Sequence, residues 1–339
     1  MSTLAPPPLT VIGAGDIAAE TDRHRTELIE VVRAAYLTHD AGDSANPHSS
    51  FLRFPHQERS RIISLPAYLG GAFEVAGNKW IASFPDNTRH GVPRASATLI
   101  LNDCATGYPF ACMESSIVSA TRTAASAVLG AQTLLGARRA RRVGIVGTGL
   151  IAQHVWRFLR DLDWEIDAFR LFDLDPAAAG RFAAALAKDT EAEPVVADKV
   201  EEAFTDCDLV VLTTVAGEPH LHDPRLLAHN PVVLHLSLRD LAPEMILAAR
   251  NFTDDVDHAV RERTSLHLTE ERTGNRDFID GTLADLLCER LRRDHGRPAI
   301  FSPFGLGVLD LAVGKWVHDR VVVAGGGHPE SDFFTGVGV

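Results

Sequence analysis

The run Arg142-Val-Gly-Ile-Val-Gly-Thr-Gly-Leu-Ile-Ala152 constrains the fold of this chain more than any other segment. An apolar strand ends directly in G-x-G-x-x-A, and helix-compatible residues follow. Gly147 permits a tight turn, Gly149 lets the backbone approach phosphate oxygens, and Ala152 is small enough for a helix to pack closely on the strand. Gly147, Thr148, Gly149, Leu150 and Ile151 then form a cradle for a dinucleotide pyrophosphate at a helix N-terminus. Taken alone, the pattern also fits an ordinary strand-to-helix turn. The next apolar strand ends in Asp173, where a carboxylate can accept hydrogen bonds from the adenosine ribose. No arginine adjoins it to receive a 2′-phosphate, so NAD is expected rather than NADP. Asp175 reads as an N-cap ahead of Pro176 at the first helical position.

Strands expected at 143–146, 168–172, 208–213 and 232–237 alternate with Ala-rich helical stretches such as 177–187. This alternation predicts an α/β fold, a Rossmann-type doubly wound parallel sheet. The residues before it read differently. Strand candidates at 95–103 and 108–113 flank the turn Cys104-Ala-Thr-Gly107, and a helix over 115–135 closes at Gly136. Near 301–305 the alternation breaks, and an amphipathic segment at 308–317 follows that can return to the first domain. The expected layout is a discontinuous α+β substrate domain, residues 1–124 plus 305–339, with an NAD-binding Rossmann domain, residues 125–304, inserted into it. Met1 to Leu9 reads as a flexible lead-in, and the Gly-rich stretch from Ala324 as a loose tail.

Several function classes are excluded by composition. A formal net charge of −12 opposes binding to nucleic acid or to anionic membranes through bulk electrostatics. An anionic ligand must be drawn instead by a local cluster of cations. The four cysteines lack C-x-x-C spacing, so neither a disulfide framework nor a cysteine zinc site is supported, and a reducing cytoplasm fits. The 15 histidines include no H-E-x-x-H, and no metal is expected. The N-terminus carries no signal-peptide or membrane-span pattern.

In the expected 115–135 helix, Ser115, Ser119, Arg122 and Ser126 are spaced to share one face. Small hydroxyls around one guanidinium suit a shallow binding floor in which Arg122 pairs with a carboxylate. A structural salt bridge between domains is its other use. Lys79 lies in an apolar strand-like run, where an ammonium needs a partner or a task. Burial would lower its pKa, which suits acid-base work or gripping a carboxylate; the alternative is a snorkelling lysine on an edge strand. Arg94 and Arg53 are weaker candidates. At the carboxyl ends of the parallel strands, Thr213 and Thr214 stand where a nicotinamide ring is expected, and Arg239 and Asp240 stand at the crevice mouth. Asp240 serves equally well as a cap for a helix starting near Pro243.

Five ordered motifs together resemble the ornithine cyclodeaminase/μ-crystallin family. They are Lys79-Trp-Ile-Ala-Ser-Phe-Pro-Asp-Asn87, Gly91-Val-Pro93, Asn102-Asp103 through Thr106-Gly-Tyr-Pro109, Arg122-Thr-Ala-Ala-Ser-Ala127 and Val146-Gly-Thr-Gly-Leu-Ile-Ala152. The resemblance implies an NAD(P)-dependent enzyme acting on amino acids or imines, a homodimer, and a substrate domain that also dimerises. It implies that Lys79 and Arg122 hold the substrate α-carboxylate and that Asp240 handles protons at the substrate nitrogen. His235-Leu-Ser-Leu-Arg-Asp-Leu-Ala-Pro-Glu244, Phe84-Pro-Asp-Asn87 and Pro93-Arg-Ala-Ser96 are more similar to one branch. That branch oxidises N-(1-amino-1-carboxy-2-ethyl)-L-glutamate to L-2,3-diaminopropionate and 2-oxoglutarate, supplying siderophore or peptide-antibiotic precursors.

Charge counting points the same way. The glutamate conjugate carries several carboxylates, and a pocket offering Lys79, Arg94, Arg122 and Arg239, with Arg53 in reserve, suits it better than ornithine. Buried cations left unpaired are costly. The alternatives are ornithine cyclodeamination, alanine dehydrogenase or ketimine reductase activity, and a crystallin-like protein that binds NAD without turnover.

Overall fold

The computed structural model describes residues 7–334. Of the expected N-terminal lead-in, residues 1–6 lie outside the described residues, and Leu9 already opens a strand. The chain divides into two compact units, one running to Arg122 and resuming at Leu306, the other being Thr123–Gly305.

The first unit begins with β1 (Leu9–Ile12), α1 (Ala14–Arg23) and α2 (Arg25–Asp40). β2 (Ser44–Ala45), β3 (Ser50–Phe54), β4 (Gln57–Leu69), β5 (Val75–Ser83), β6 (Ala95–Asp103) and β7 (Pro109–Glu114) follow. β4 to β7 pair antiparallel in sequence order. Period-two alternation drives this pairing: Leu65, Leu69, Val75, Leu99 and Leu101 turn to a buried face, while Trp80 and Ile100 face outward. The β6–β7 turn is fixed by Asp103, whose carboxylate accepts from the Thr106 amide and hydroxyl. Gly107, at φ 75°, supplies the left-handed residue that closes it. α3 (Ser116–Leu135) contains the division between the units, and Gly136 ends it at φ 73°.

The second unit contains, in order, β8 (Arg139–Val146), α4 (Leu150–Asp161), β9 (Glu165–Phe172), α5 (Pro176–Leu186), β10 (Pro194–Val196), β11 (Leu209–Leu212) and β12 (Val232–His235). α6 (Pro243–Leu247), β13 (Arg250–Thr253), α7 (Val256–Ala259), α8 (Ser265–Thr273), β14 (Ile279–Thr282), α9 (Leu283–Leu287) and β15 (Ala299–Phe301) complete it. All neighbours in the sheet are parallel, in the order β10-β9-β8-β11-β12-β15-β13-β14. β11 and β12 are buried along their whole length, as strands covered on both faces must be. β12 is shorter than the expected 232–237, because the amides of Leu236 and Ser237 both turn to the single carbonyl of Leu212 and end the ladder. The strand order reverses between β8 and β11, which marks the ligand crevice of a doubly wound sheet.

The chain re-enters the first unit as α10 (Gly307–Val323) and β16 (His328–Glu330). Two expectations are corrected here. The 308–317 segment is not amphipathic: every residue from Gly307 to Gly314 is buried, Asp310 included, because α10 packs against α2 on one side and β4, β5 and β6 on the other. Close approach requires glycine there, since a Cβ on Gly314 would sit 2.3 Å from a Leu99 methyl. Nor is the stretch from Ala324 to Glu330 a loose tail; residues 335–339 lie outside the described residues. β16 pairs antiparallel with β1 and so extends the sheet. Among the described residues, no helix is long and apolar enough to cross a membrane.

Candidate active site

In the first unit, Lys79 sits in β5 between β4 and β6, with Leu65 and Leu99 as its cross-strand partners. It is therefore a central-strand lysine, not a snorkelling edge residue, and it is almost completely buried. Its ammonium donates to Asp310 Oδ2 at 2.6 Å and to Ser119 Oγ at 3.2 Å. Arg122 Nε donates to the other oxygen of Asp310 at 3.1 Å, and its Nη2 reaches Ser119 Oγ at 3.5 Å. The two cations expected to act together thus meet on one carboxylate, and that carboxylate, fully buried Asp310, was missed in the sequence. The salt bridge of Arg122 is made within its own unit. Ser115, expected on the same floor, is buried but takes no part, and Ser126 falls in the second unit.

Two positive charges against one negative leave this buried cluster at +1. Its composition decides what it can take up: one further anion would be attracted, a cation repelled. Burial pushes the Lys79 pKa down to about 8; the Asp310 charge pulls it up and the Arg122 charge pushes it further down.

A second group of guanidiniums lies along the same sheet face. Directly cross-strand residues share a face, as do alternate residues along a strand. Arg61 of β4 lies four residues before Leu65, the partner of Lys79, and Arg53 of β3 lies opposite Arg61. The spacing along the strand is roughly 13 Å. Arg94, partly buried just before β6, has its pKa lowered by burial and by the charge of Arg61, which puts those two guanidiniums close together. Arg61 was also missed in the sequence, although the alternation Arg61-Ile-Ile63-Ser-Leu65 aligns it with buried Leu65. Arg239 is placed in the second unit, where its Nη2 donates to the Glu262 carbonyl at 2.7 Å.

At the carboxyl end of β8, Gly147 adopts φ 85°, and a Cβ there would lie 2.8 Å from the Thr213 carbonyl carbon. Thr213 Oγ1 donates to the Gly147 carbonyl at 2.5 Å, tying β11 to the turn. Gly149 precedes α4 without a side-chain cap, and a Cβ added to it meets nothing within 4 Å. Open space therefore stands before uncapped amides, the surroundings a phosphate requires. Asp173 Oδ2 accepts from the Thr148 amide at 2.7 Å and hydroxyl at 2.9 Å, and Oδ1 accepts from the Asp175 amide at 3.0 Å. The carboxylate is thereby locked at the end of β9. Leu150 is exposed at the first turn of α4, followed by half-buried Ile151. Asp175 caps α5 through the Ala177 amide. This combination of side-chain-free turn, open helix end and fixed carboxylate fits a dinucleotide.

Asp240 is not a helix cap. Ala242 occupies the N-cap of α6, and Asp240 is turned inward to four side chains. Its Oδ1 accepts from Thr214 Oγ1 at 2.5 Å and His220 Nε2 at 3.0 Å. Its Oδ2 accepts from the Ser237 hydroxyl and lies 3.3 Å from His235 Nε2. Burial alone would raise its pKa, but the imidazoles of His220 and His235 and the Ser237 hydroxyl outweigh it and hold the carboxyl well below the usual range. His220 was not singled out in the sequence. No motif there distinguishes it from the other histidines.

Known proteins supply an independent comparison. The N-((2S)-2-amino-2-carboxyethyl)-L-glutamate dehydrogenase of Staphylococcus aureus is 25% identical over 318 residues, covering 91% of this chain and 94% of its own. The Thermococcus litoralis Delta(1)-pyrroline-2-carboxylate reductase, solved with NADH and L-proline, superposes with a TM-score of 0.85 at 22% identity, covering 94% of this chain and 99% of its own. An archaeal alanine dehydrogenase dimer with bound NAD gives a TM-score of 0.83 at 22% identity, over 95% and 98% of the respective chains. The sequence model of the ornithine cyclodeaminase/mu-crystallin family matches residues 13–325, and the chain belongs to that family.

Proposed function

We propose that this chain is an NAD-dependent amino-acid dehydrogenase whose substrate is N-(1-amino-1-carboxy-2-ethyl)-L-glutamate, which it converts by oxidative hydrolysis to L-2,3-diaminopropionate and 2-oxoglutarate. The observation that carries this reading is the distribution of cations on one sheet face. Lys79, Arg122 and Asp310 form a cluster with one net positive charge, Arg53 and Arg61 lie farther along the face, and Arg94 is near Arg61. A ligand with carboxylates at both ends matches two separated cationic groups. Ornithine, with an ammonium at its far end, would meet like charge there. The similarity to the staphylococcal dehydrogenase supports the same choice.

Each unit supplies part of the chemistry. Lys79 and Arg122 bind and orient the α-carboxylate through charge-assisted hydrogen bonds, with Asp310 and Ser119 holding both side chains in place. Arg53, Arg61 and Arg94 bind a carboxylate at the ligand's far end; Arg239 is a further candidate. Gly147, Thr148, Gly149, Leu150 and Ile151 would hold the NAD pyrophosphate, Asp173 the adenosine ribose, and Thr213 and Thr214 the nicotinamide side. Bound there, NAD supplies the acceptor for the hydride that leaves the substrate α-carbon. Proton handling at the substrate nitrogen falls to the Asp240 cluster. A second copy of the chain is the proposed partner: Leu52, Trp80 and Ile100 form an exposed apolar patch on the sheet face opposite Lys79.

Incubation with NAD and the synthetic glutamate conjugate tests the reading. NADH, 2-oxoglutarate and diaminopropionate should appear in equal amounts. Conversion of ornithine to proline and ammonia without net NADH would replace it with cyclodeamination. NADH-dependent consumption of cyclic imines, or of pyruvate with ammonia, would replace it with a reductase or alanine dehydrogenase. Tight NAD binding with no turnover would leave a crystallin-like binding protein.

A further inference from the structure

We propose that His220 is the group that takes the proton from the substrate nitrogen, and that Asp240 is the residue that positions it. This rests on the amino-acid dehydrogenase reading and names the atom at which its proton step ends.

The geometry around Asp240 carries the argument. A carboxylate offers about four lone-pair directions, and here three are met by donors, Thr214 and His220 on one oxygen and Ser237 on the other, while His235 Nε2 lies 3.3 Å from the second oxygen. The residue is 0% exposed. Neither oxygen is left open to an incoming proton from solvent or ligand. The depressed pKa of the carboxyl agrees, since burial is outweighed by the imidazoles and Ser237 and the group stays an anion. A base so weak is poorly matched to proton transfer near neutral pH.

An ionised carboxylate can only accept hydrogen bonds. His220 Nε2, 3.0 Å from Asp240 Oδ1, therefore carries the hydrogen of that contact, and Nδ1 of the neutral ring keeps its lone pair. The His220 side chain is 38% exposed, so this nitrogen belongs to a ring that solvent and ligands can reach. Two backbone hydrogen bonds hold the ring's loop in register, from the amides of His220 and Leu221 to the Asp240 carbonyl at 3.0 and 2.9 Å. The pair stands just beyond the carboxyl ends of β11 and β12, the edge at which doubly wound sheets bind ligands. His235, on the far side of Asp240, accepts the Asp240 amide at Nε2 and contacts Ser302 Oγ through Nδ1. His222, two residues beyond His220, is engaged instead with Glu244, which Arg272 also contacts.

In the step, an N–H bond of the protonated secondary amine breaks, the proton bonds to His220 Nδ1, and the electron pair remains on the substrate nitrogen. The imidazolium that forms is balanced by Asp240. Substrate and enzyme together gain and lose no charge.

His220→Ala should lower kcat by about 10²- to 10⁴-fold while the Kd for NAD stays unchanged, and added imidazole should restore part of the turnover in proportion to its free-base concentration. A merely structural histidine would show no such rescue. Independently of turnover, ¹⁵N spectra of the wild type should show hydrogen on Nε2 of His220, a preference lost in Asp240→Asn. Wild-type turnover in His220→Ala, no response to imidazole, or hydrogen on Nδ1 would overturn the proton role and leave the dehydrogenase reading standing. If no amino-acid substrate supports NAD reduction by the wild type, the dehydrogenase reading fails and takes the proton role with it.

Discussion

Asp310 holds two cations with one carboxylate, and the consequence of losing it can be stated in energy. Asp310→Asn keeps the side-chain shape but leaves Lys79 and Arg122 buried without a counter-charge, and breaking such a pair costs about 3–5 kcal/mol. Chemical denaturation should show an unfolding free energy lower by that amount, and an unchanged value would mean that the cluster is not ionised. Lys79 yields a pH prediction. Its pKa of about 8 means that the ammonium is present below that pH and lost as pH rises through it. A neutral amine cannot pair with the substrate carboxylate, so KM should rise from pH 7 to pH 9. Lys79→Met should raise KM at every pH, by about 10- to 100-fold, and remove this dependence; a pH profile unchanged in the variant would assign it to another group. Lys79 was legible in the sequence because an ammonium in an apolar run needs an explanation. The same reasoning applied to Asp310, a carboxylate between leucines in an apolar segment, would have exposed its partner. It was passed over because a single polar residue also fits an amphipathic helix, and because 231 residues separate it from Lys79.

At the scale of elements, the turn between β8 and α4 is where local sequence dictated most. Gly147 needs φ 85° and has no room for a Cβ, whereas Gly149 has ample room and is free of positive φ. The two glycines therefore predict different failures. Gly149→Val should leave the melting temperature unchanged and raise the Kd for NAD at least 10-fold, because the added methyls fill space before the α4 amides. Calorimetric binding and thermal melting of one sample check both parts, and equal NAD affinity would move the pyrophosphate elsewhere. Asp173→Ala should behave differently. It removes the acceptor of the Thr148 amide and hydroxyl as well as the proposed ribose contact, so the turn loosens and the NAD Kd rises together. Strand and helix positions around this turn were readable from period and caps. α10 and β16 were not, because helix packing on both sides and pairing with β1 are tertiary events that no local pattern announces.

For the whole molecule, the sheet of the first unit has two faces with opposite chemistry. One buries Lys79 under α10, and the other exposes Trp80, Leu52 and Ile100. Alternation along β5 makes this division unavoidable: neighbours Lys79 and Trp80 must point to opposite sides. Facing water costs the apolar side about 25 cal/mol per Å², and a second copy presenting the same patch can cover it with two-fold symmetry. Trp80→Glu places a charge at the centre of that patch. It should convert the proposed dimer into a monomer in sedimentation velocity, while NAD affinity, assigned above to the second unit, stays within about 2-fold of the wild type, well under 1.4 kcal/mol. A wild-type chain that sediments as a monomer, or a Trp80→Glu variant that remains dimeric, would detach the patch from assembly.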